Sequence, residues 1–365
     1  MAFALNKIFS QLKQLKKEPV VSVKGVTGID FGASSVKIVD VQLLDGVLTL
    51  KTYGELQLGP YLQQDLGASV DLPIAKRIEA LIDVIREAEA GARNGVLALP
   101  LSGSFVTIIP IEAKKQEDIS SRVPVEARKY IPVPITDVQL EWTEVTAAQH
   151  QEGDPRDVLI AAIQNETITE MNALMSAIQL VSQPAEIEIF SALRALAKAE
   201  DTSIAIIDIG ARTSKLYIAN NGIVHRIHRV QVGGSSATAA IAARLNISFS
   251  DAEKKKRLYA PEESNAEEIK KTMAQTFDRV FEEFKRVISQ YEMHSGAPIP
   301  RIVLTGGAST FYDFLPYAQY HLDHAVERAN PFTKVAYPAF LEDTIAEIGP
   351  LFSVALGAAL RPFEG

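Results

Sequence analysis

Two stretches of the sequence place the same residue types at the same spacing: an apolar run, an aspartate, a glycine, a serine or threonine, and a lysine. The first contains Asp30, Gly32, Ser35 and Lys37, and the second contains Asp208, Gly210, Thr213 and Lys215. Because β-branched runs on both sides of a glycine are typical of two strands joined by a tight turn, each stretch predicts a β-hairpin. Chance seldom supplies this pattern twice in one chain, so the repeat indicates a duplicated lobe.

The residue types at these two turns suit the binding of a polyphosphate. Glycine lets backbone N–H groups approach phosphate oxygens, and the hydroxyls of Ser34 and of the serine and threonine of the repeat can donate further hydrogen bonds. Lys37 can add a positive charge. A carboxylate beside phosphate would repel it unless Mg²⁺ lay between, so Asp30 and Asp208 are the candidate metal ligands. The alternative is two ordinary hairpins in which aspartate only forms the turn.

Two glycine pairs extend the pattern in the second half of the chain. Gly233 and Gly234 follow an apolar strand and precede a helix of small residues, expected to begin near residue 235 or 236, whose N-terminus would favour an anion. Gly306 and Gly307 repeat the order of strand, glycine pair and helix, and would let a flat purine or a ribose approach the backbone.

A charged run between the two glycine pairs has a less specific pattern. Glu253 and Lys256 lie one helical turn apart in the run DAEKKK, so they share a helix face. Because such runs usually lie on a solvent-exposed face, the pattern alone predicts exposure here.

Composition excludes several classes of protein. The chain has 365 residues, 47% of them hydrophobic, and a formal net charge of −8, which disfavours a general nucleic-acid binder. The absence of cysteine excludes disulfides and thiolate metal sites. No run of about 18 consecutive apolar residues is evident, so the sequence predicts no membrane-spanning helix.

The N-terminal segment predicts a short basic amphipathic helix, which Pro19 ends. Its apolar residues follow helical spacing and its lysines lie between them: Leu5, Ile8, Phe9, Leu12 and Leu15, with Lys7, Lys13, Lys16 and Lys17. Such a helix suits an anionic membrane surface or a groove on a partner. The alternative is a helix that caps its own domain.

The segment 102–183 predicts a small inserted subdomain. Strands are expected at 105–111, 138–145 and 157–164, and helices at 117–130 and 166–180. Pro124 would mark the start of the first helix or a kink in it.

The order of these motifs resembles the actin, Hsp70 and hexokinase superfamily of ATP-binding folds, and more closely the PilM family of type IV pilus assembly proteins. The resemblance extends over nearly the whole chain from about Gly25. It is carried by 30–37 (DFGASSVK), 186–196 (EIEIFSALRAL), Gly233 and Gly234 with Thr238, 252–256 (AEKKK) and 304–309 (LTGGAS).

The resemblance implies an α/β fold with two actin-like lobes around a nucleotide cleft. The implied parts are an N-terminal helix (1–19), the first part of lobe 1 (20–101), an FtsA-like interaction subdomain (102–183), a connecting helix of lobe 1 (184–203), lobe 2 (204–334) and a C-terminal return to lobe 1 (335–365). It implies phosphate binding by Gly32, Ala33, Ser34, Ser35, Lys37, Gly210 and Thr213, and Mg²⁺ near Asp30 and Asp208. It implies a nucleoside near Gly233, Gly234, Glu253, Lys256, Gly306 and Gly307. Ala33 departs from the family, which often has serine there.

The function implied by the resemblance is an ATP-binding scaffold, cytoplasmic and peripheral to the inner face of the cytoplasmic membrane. Its implied partners are the N-terminal peptide of a PilN-like membrane protein, other assembly-platform proteins and pilus motor ATPases. The alternatives are an active ATPase or small-molecule kinase of the superfamily, or an FtsA-like division protein, although an FtsA-like membrane-targeting tail is not seen after the apolar run 351–360. In an ATPase, Glu188 could activate water, but Glu186 is equally near. We expect weak ATPase activity or none.

Overall fold

The computed structural model describes residues 24–113, 117–145, 155–258 and 265–364. The basic amphipathic helix predicted for residues 1–19 lies outside these ranges. The described chain contains two large β-sheets and one small β-sheet, with helices packed on their faces.

The first sheet begins with an antiparallel meander and continues with parallel strands. Its strands are β1 (Gly25–Phe31), β2 (Ser35–Leu44), β3 (Val47–Gln57), β4 (Asn94–Leu99), β8 (Val181–Ser182) and β9 (Glu186–Ile187). Their order is β3-β2-β1-β4-β8, and β9 also pairs with β4. Strands β1 and β4 run parallel, as expected for strands joined by a crossover that contains a helix.

The second sheet repeats this topology. Its strands are β10 (Ser203–Ile209), β11 (Ser214–Asn220), β12 (Ile223–Val230), β13 (Ile302–Thr305) and β14 (Val326–Arg328), in the order β12-β11-β10-β13-β14. Asp30 pairs with Lys37 across the first hairpin, and Asp208 pairs with Lys215 across the second. Both predicted hairpins are therefore confirmed, in the same register.

The third sheet has the order β5-β7-β6 and corresponds to the inserted segment. Its strands are β5 (Ser104–Ile111), β6 (Val138–Glu144) and β7 (Arg156–Gln164), close to the predicted ranges. The predicted helix 117–130 is wrong in extent. Only Val123–Ala127 is α-helical, with Pro124 in the first turn, where its missing N–H costs nothing.

The remaining helices surround the two large sheets. In chain order, with α2 being Val123–Ala127, they are α1 (Ile74–Glu87), α3 (Asn165–Ala177), α4 (Glu188–Leu196), α5 (Gly234–Leu245), α6 (Phe249–Leu258), α7 (Ala266–Ser295), α8 (Phe314–Leu322), α9 (Glu342–Ile348) and α10 (Ser353–Leu360). Helix α7 buries Phe277, Phe281 and Phe284 against the second sheet, because their spacing puts them on one helix face.

Helix α3 ends three residues before the predicted limit of 180 and packs in the core of lobe 1. Leu174 and Met175 share a buried cluster with Ile29 and Leu97 of the first sheet. The C-terminal part of the predicted insertion therefore packs with lobe 1.

The C-terminal segment returns to the first sheet and packs closely on it. A Cβ at Gly28 of β1 would lie 1.9 Å from the Ala355 carbonyl oxygen, and a Cβ at Gly357 would lie 1.8 Å from that of Ser191. Ala339–Phe363 has the length and composition of a membrane span, but 67% of its most apolar window is buried inside the protein. Buried core helices share this composition.

Candidate nucleotide site

The turn of the first hairpin is held by its own backbone and by Lys37. The Gly32 N–H donates to the Ser35 carbonyl (3.0 Å), which closes the turn. The Lys37 ammonium donates to Ser35 Oγ (2.6 Å) and lies 3.5 Å from Glu55 Oε1. The lysine predicted to meet phosphate therefore lies beside the turn, with Ser35 and Glu55 as its partners.

Asp30 differs from its neighbours because its carboxylate receives no hydrogen bond from any residue within the described ranges. Burial raises the pKa of Asp30 to about 6, against the opposing charge of Lys37, and the nearby carboxylates of Glu188 and Asp208 raise it further. Asp30 and Asp208 therefore lie close enough for their charges to interact, as expected if the two lobes face each other across one cleft.

The second hairpin turn has a different set of partners. The Gly210 N–H donates to the Thr213 carbonyl (3.0 Å), as in the first turn. The Lys215 ammonium, however, lies 3.1 Å from Asp208 Oδ2 and 2.6 Å from Glu188 Oε2 on α4. Burial lowers the pKa of Lys215, but Asp208 and Glu188 outweigh it and hold that pKa well above its usual value. Lys215 therefore links the two lobes.

Glu188, the candidate residue for activating water, is buried, and both of its carboxylate oxygens accept hydrogen bonds. Its Oε1 accepts from the Leu101 N–H (2.7 Å), and its Oε2 accepts from Lys215. The alternative, Glu186, accepts hydrogen bonds from Ser191 (2.7 Å) and Arg194 in the core of lobe 1. Both carboxylates are therefore buried and paired inside the fold.

The first glycine pair packs directly on the second turn. A Cβ at Gly233 would lie 2.5 Å from the Ala211 carbonyl oxygen, so only glycine fits without movement. Helix α5 begins at Gly234, slightly earlier than expected. The Gly234 and Ser235 N–H groups donate to the carbonyls of Gly210 and Ala211, so these two donors are used by the turn and not offered to an anion.

Glu253 and Lys256 are buried, so the expectation that they lie on a solvated face is wrong. Glu253 Oε2 accepts from Thr238 Oγ1 and Lys256 Nζ, both at 2.5 Å, and its Oε1 accepts from Arg257 Nε (2.6 Å). Burial lowers the pKa of Lys256 despite the opposing charge of Glu253. The ammonium also lies 5.1 Å from the centre of the Phe311 ring.

The second glycine pair lies beside Asp208. A Cβ at Gly306, where φ is +82°, would lie 2.5 Å from Asp208 Oδ1, whereas a Cβ at Gly307 would meet no atom within 4 Å. Glycine at position 306 therefore allows the chain to pack closely against Asp208. Gly307 has open space beside it, in which a flat group could lie.

The structure thus brings the sequence-predicted residues together in two groups. Asp30, Lys37, Glu188 and Asp208 lie around the paired turns, and Glu253 and Lys256 lie beside Gly234. In the part of the chain that the structure describes, no group of three or more His, Asp or Glu side chains could hold a metal ion. Sequence reasoning missed the Lys215 bridge and Arg257, although an i,i+4 pair of Glu253 and Arg257 could have been read from the spacing.

The chain matches known proteins over nearly its whole length. The family model described as type IV pilus assembly protein PilM matches residues 28–363. A solved structure of the PilM-PilN type IV pilus biogenesis complex is similar, with 26% identity and a TM-score of 0.79 over 95% of this chain and 100% of that chain.

Two more distant structures show the fold. The ethanolamine utilization protein EutJ from Carboxydothermus hydrogenoformans has 16% identity and a TM-score of 0.56, over 98% of each chain. MreB5 of Spiroplasma citri bound to ADP has 12% identity and a TM-score of 0.53, over 95% of this chain and 98% of that chain. The expected actin-like ATPase fold is confirmed. Because the family model covers nearly the whole sequence, the chain belongs to the PilM family of type IV pilus assembly proteins.

Proposed function

We propose that this type IV pilus assembly protein is a scaffold that binds ATP with Mg²⁺ between its two lobes. The observation that carries the proposal is the meeting of both glycine turns at one cluster of charges, in which Asp30 receives no hydrogen bond from the described chain. Mg²⁺ is usually held through one or two carboxylates, water and phosphates, so it does not need a cage of protein ligands. A cation beside Asp30 would also offset the repulsion from Glu188 and Asp208.

The proposed nucleotide would contact backbone from both lobes. Gly32 to Ser35 and Lys37 would face the phosphates from lobe 1, and Gly210 and Thr213 from lobe 2. Gly233 and Gly234 with Glu253 and Lys256 would form the nucleoside side, and the open face of Gly307 lies next to Gly306 beside Asp208. This assignment follows the family resemblance and the packing of each glycine.

Slow hydrolysis or none fits the environment of Glu188. A general base must be able to accept a proton from water, and a carboxylate whose two oxygens are already paired with Lys215 and the Leu101 N–H is a poor acceptor. We therefore propose that bound nucleotide serves to hold the lobes together and is turned over slowly.

The nucleotide assignment is tested by thermal unfolding with and without Mg-ATP. A ligand that binds only the folded state raises the melting temperature, and Asp30→Asn should remove most of that increase. Asp45→Asn, which changes an exposed aspartate at the tip of the neighbouring β2–β3 hairpin, is the matched control and should retain the full increase. An unchanged Mg-ATP effect in Asp30→Asn would show that the site is elsewhere.

We propose that the partner is the N-terminal peptide of a PilN-like protein, bound in a groove between the inserted sheet and β12. The groove has a volume of about 320 Å³ and apolar walls that include Phe105, Val106 and Val133, with Ile227 and Arg229 contributed by lobe 2. A similar protein is seen in a PilM-PilN complex, which supports this partner. Because the inserted subdomain and lobe 2 both line the groove, nucleotide closure of the lobes would change its width.

Calorimetric titration of the peptide tests the groove and its coupling to nucleotide. Val133→Asp places a carboxylate in the apolar wall and should abolish binding, whereas Val125→Asp, an exposed site of the same subdomain, should not. Saturating Mg-ATP should tighten peptide binding, and peptide should tighten ATP binding by the same factor, because coupling between sites is reciprocal. Equal effects of the two valine variants would exclude this groove.

We also propose that the protein lies peripherally on the inner face of the cytoplasmic membrane. The described chain begins at Lys24, whose carbonyl accepts from the Leu43 N–H (2.9 Å) at the tip of the β2–β3 hairpin. Leu43, Leu44 and Val47 are exposed there, near Lys24, the first described residue after the N-terminal segment. Deletion of residues 1–17 should reduce sedimentation with anionic vesicles. Equal sedimentation of the shortened and full chains would exclude lipid adhesion by this segment.

A further inference from the structure

Residues 58–71, which we name the strap, form a loop whose two ends are hydrogen-bonded to the first turn. The Leu58 N–H donates to the Ser34 carbonyl (2.8 Å), and the Val70 N–H donates to the Ala33 carbonyl (2.9 Å). Inside the strap, Gly67 donates its N–H to Gln57 Oε1 (3.1 Å) at the end of β3. The strap is therefore a compact loop of lobe 1 that starts and ends on the backbone assigned to the phosphates.

The middle of the strap lies against lobe 2. The Gly67 carbonyl accepts from Ser235 Oγ (3.0 Å), in the first turn of α5. Gly67 has a φ of +79°, and a Cβ there would lie 2.6 Å from the carboxyl carbon of Glu253. The strap thus covers the residue that we assign to the nucleoside side of the site.

A third contact joins the strap to the second turn. Arg212 lies between Gly210 and Thr213, and its side chain extends to lobe 1. Its Nε donates to Ser69 Oγ (2.9 Å) and its Nη1 donates to Asp71 Oδ1 (2.6 Å). One short segment therefore contacts the first turn, the second turn and Glu253.

We propose that Arg212 and Gly67 are positioning residues that keep the nucleotide in the cleft, by holding the strap closed over it. This rests on the proposed nucleotide site. A ligand between the two turns is bounded by the strap on the Glu253 side, so its departure requires the contacts of Arg212 and Gly67 with the opposite lobe to break. The Arg212 side chain is 40% exposed and that of Asp71 is 86% exposed. Exposed pairs add little to folding stability, so these contacts can open while both lobes stay folded.

The proposal predicts a change in dissociation rate without a change in the stability of the ligand-free protein. The probe is a fluorescent ATP analogue with Mg²⁺, bound to the full chain and displaced by excess ATP in a stopped-flow experiment. Arg212→Ala and Asp71→Ala should each raise the dissociation rate about two- to fivefold, the range expected for loss of an exposed ion pair. The exchanged pair, Arg212→Asp with Asp71→Arg, should recover part of the slow rate.

A matched pair of glycine variants tests the strap backbone. Gly67→Ala and Gly46→Ala both put a side chain at a positive φ, +79° and +82°, but only the first meets Glu253, since a Cβ at Gly46 has no atom within 4 Å. Gly67→Ala should accelerate dissociation and Gly46→Ala should not.

The outcomes separate this proposal from the function on which it rests. If the nucleotide analogue binds the wild type and dissociates from the Arg212, Asp71 and Gly67 variants at the wild-type rate, the strap proposal alone is overturned. A wild type that binds no analogue would overturn the nucleotide site, and the strap proposal with it. Acceleration that is matched by Gly46→Ala would mean a general loss of stability and would also overturn it.

Discussion

The two lobes hold an aspartate and a lysine in identical strand register, yet the pairs are used differently. In lobe 2, Lys215 contacts Asp208 and reaches Glu188 on the other lobe. In lobe 1, Lys37 contacts Ser35 and Glu55, and Asp30 receives no hydrogen bond from the described residues. The duplicated hairpin therefore sets the positions of the aspartate and the lysine in each lobe. The neighbouring elements determine which residues these two side chains pair with. Under the proposed function, the lobe 1 aspartate is the one available to a cation.

The lobes also differ in what covers the strand that carries the aspartate. Strand β1 has Gly28 two residues before Asp30, and α10 packs against it so closely that no side chain fits. The corresponding residue of β10 is Ile206, which is buried in an apolar cluster. At this strand position, lobe 1 has a glycine with a helix packed directly on the backbone, whereas lobe 2 has a buried isoleucine side chain.

The largest effect on stability is expected from Lys215→Met. Loss of this ammonium would leave the buried carboxylates of Asp208 and Glu188 without their shared cation, which typically costs about 3–5 kcal/mol when a buried ion pair is broken. Urea unfolding of the ligand-free protein measures this cost. Adding Asp208→Asn and Glu188→Gln should recover much of the loss, because the penalty comes from uncompensated charge. A cost below about 1 kcal/mol for Lys215→Met would contradict the bridge.

The next largest effect is expected from Gly28→Ala. A Cβ 1.9 Å from the Ala355 carbonyl oxygen forces α10 away from the sheet, and such overpacking costs about 3 kcal/mol. The matched control is Gly25→Ala in the same strand, where the nearest atom to a Cβ is the flexible Gln42 side chain at 3.2 Å. Equal unfolding midpoints for the two variants would argue against close packing of the C-terminal helix.

A pH-dependent gain in stability is expected from Asp30→Asn. The folded-state pKa, about 6, is above the usual 3.8, so the folded protein binds this proton more tightly than the unfolded chain does. The stability of the ligand-free wild type therefore falls as pH rises between these two values, by at most about 3 kcal/mol. Asp30→Asn should be more stable by about 2 kcal/mol above pH ~7, and the gain should vanish near pH ~4.

Unfolding of both proteins in magnesium-free, nucleotide-free buffer across that pH range measures the gain. Asp208→Asn is the comparison, and it should lower stability because it removes one partner of Lys215. A wild type that is as stable as Asp30→Asn at neutral pH would mean that Asp30 has a stabilising partner.

Sequence alone predicted both hairpins and the glycine turns, because these depend on local backbone requirements that appear as glycine and β-branched residues. It could not predict that Lys215 reaches Glu188, since that contact depends on how the two lobes are placed. The run DAEKKK misled for the same reason: its charges look solvated until Thr238 of α5 and the strap cover Glu253. Gly28 did carry a signal, because glycine inside a strand often marks close approach of another backbone.

The smallest effect on folding is expected from Lys37→Met, the lobe 1 counterpart of the first variant. Lys37 lies 3.5 Å from a single carboxylate, Glu55, and donates to Ser35. Lys215 pairs with two carboxylates at shorter distances, so removal of Lys37 should cost less, about 1–2 kcal/mol. Under the proposed function the same change removes a positive charge from the phosphate side. Mg-ATP should therefore raise the melting temperature of Lys37→Met by less than it raises that of the wild type. This loss should be larger than the small folding cost explains. Lys37→Arg, which keeps the charge, should retain more of it. A cost as large as that of Lys215→Met would show that the two lysines have equivalent structural roles, and that the lobes do not divide binding and bridging between them.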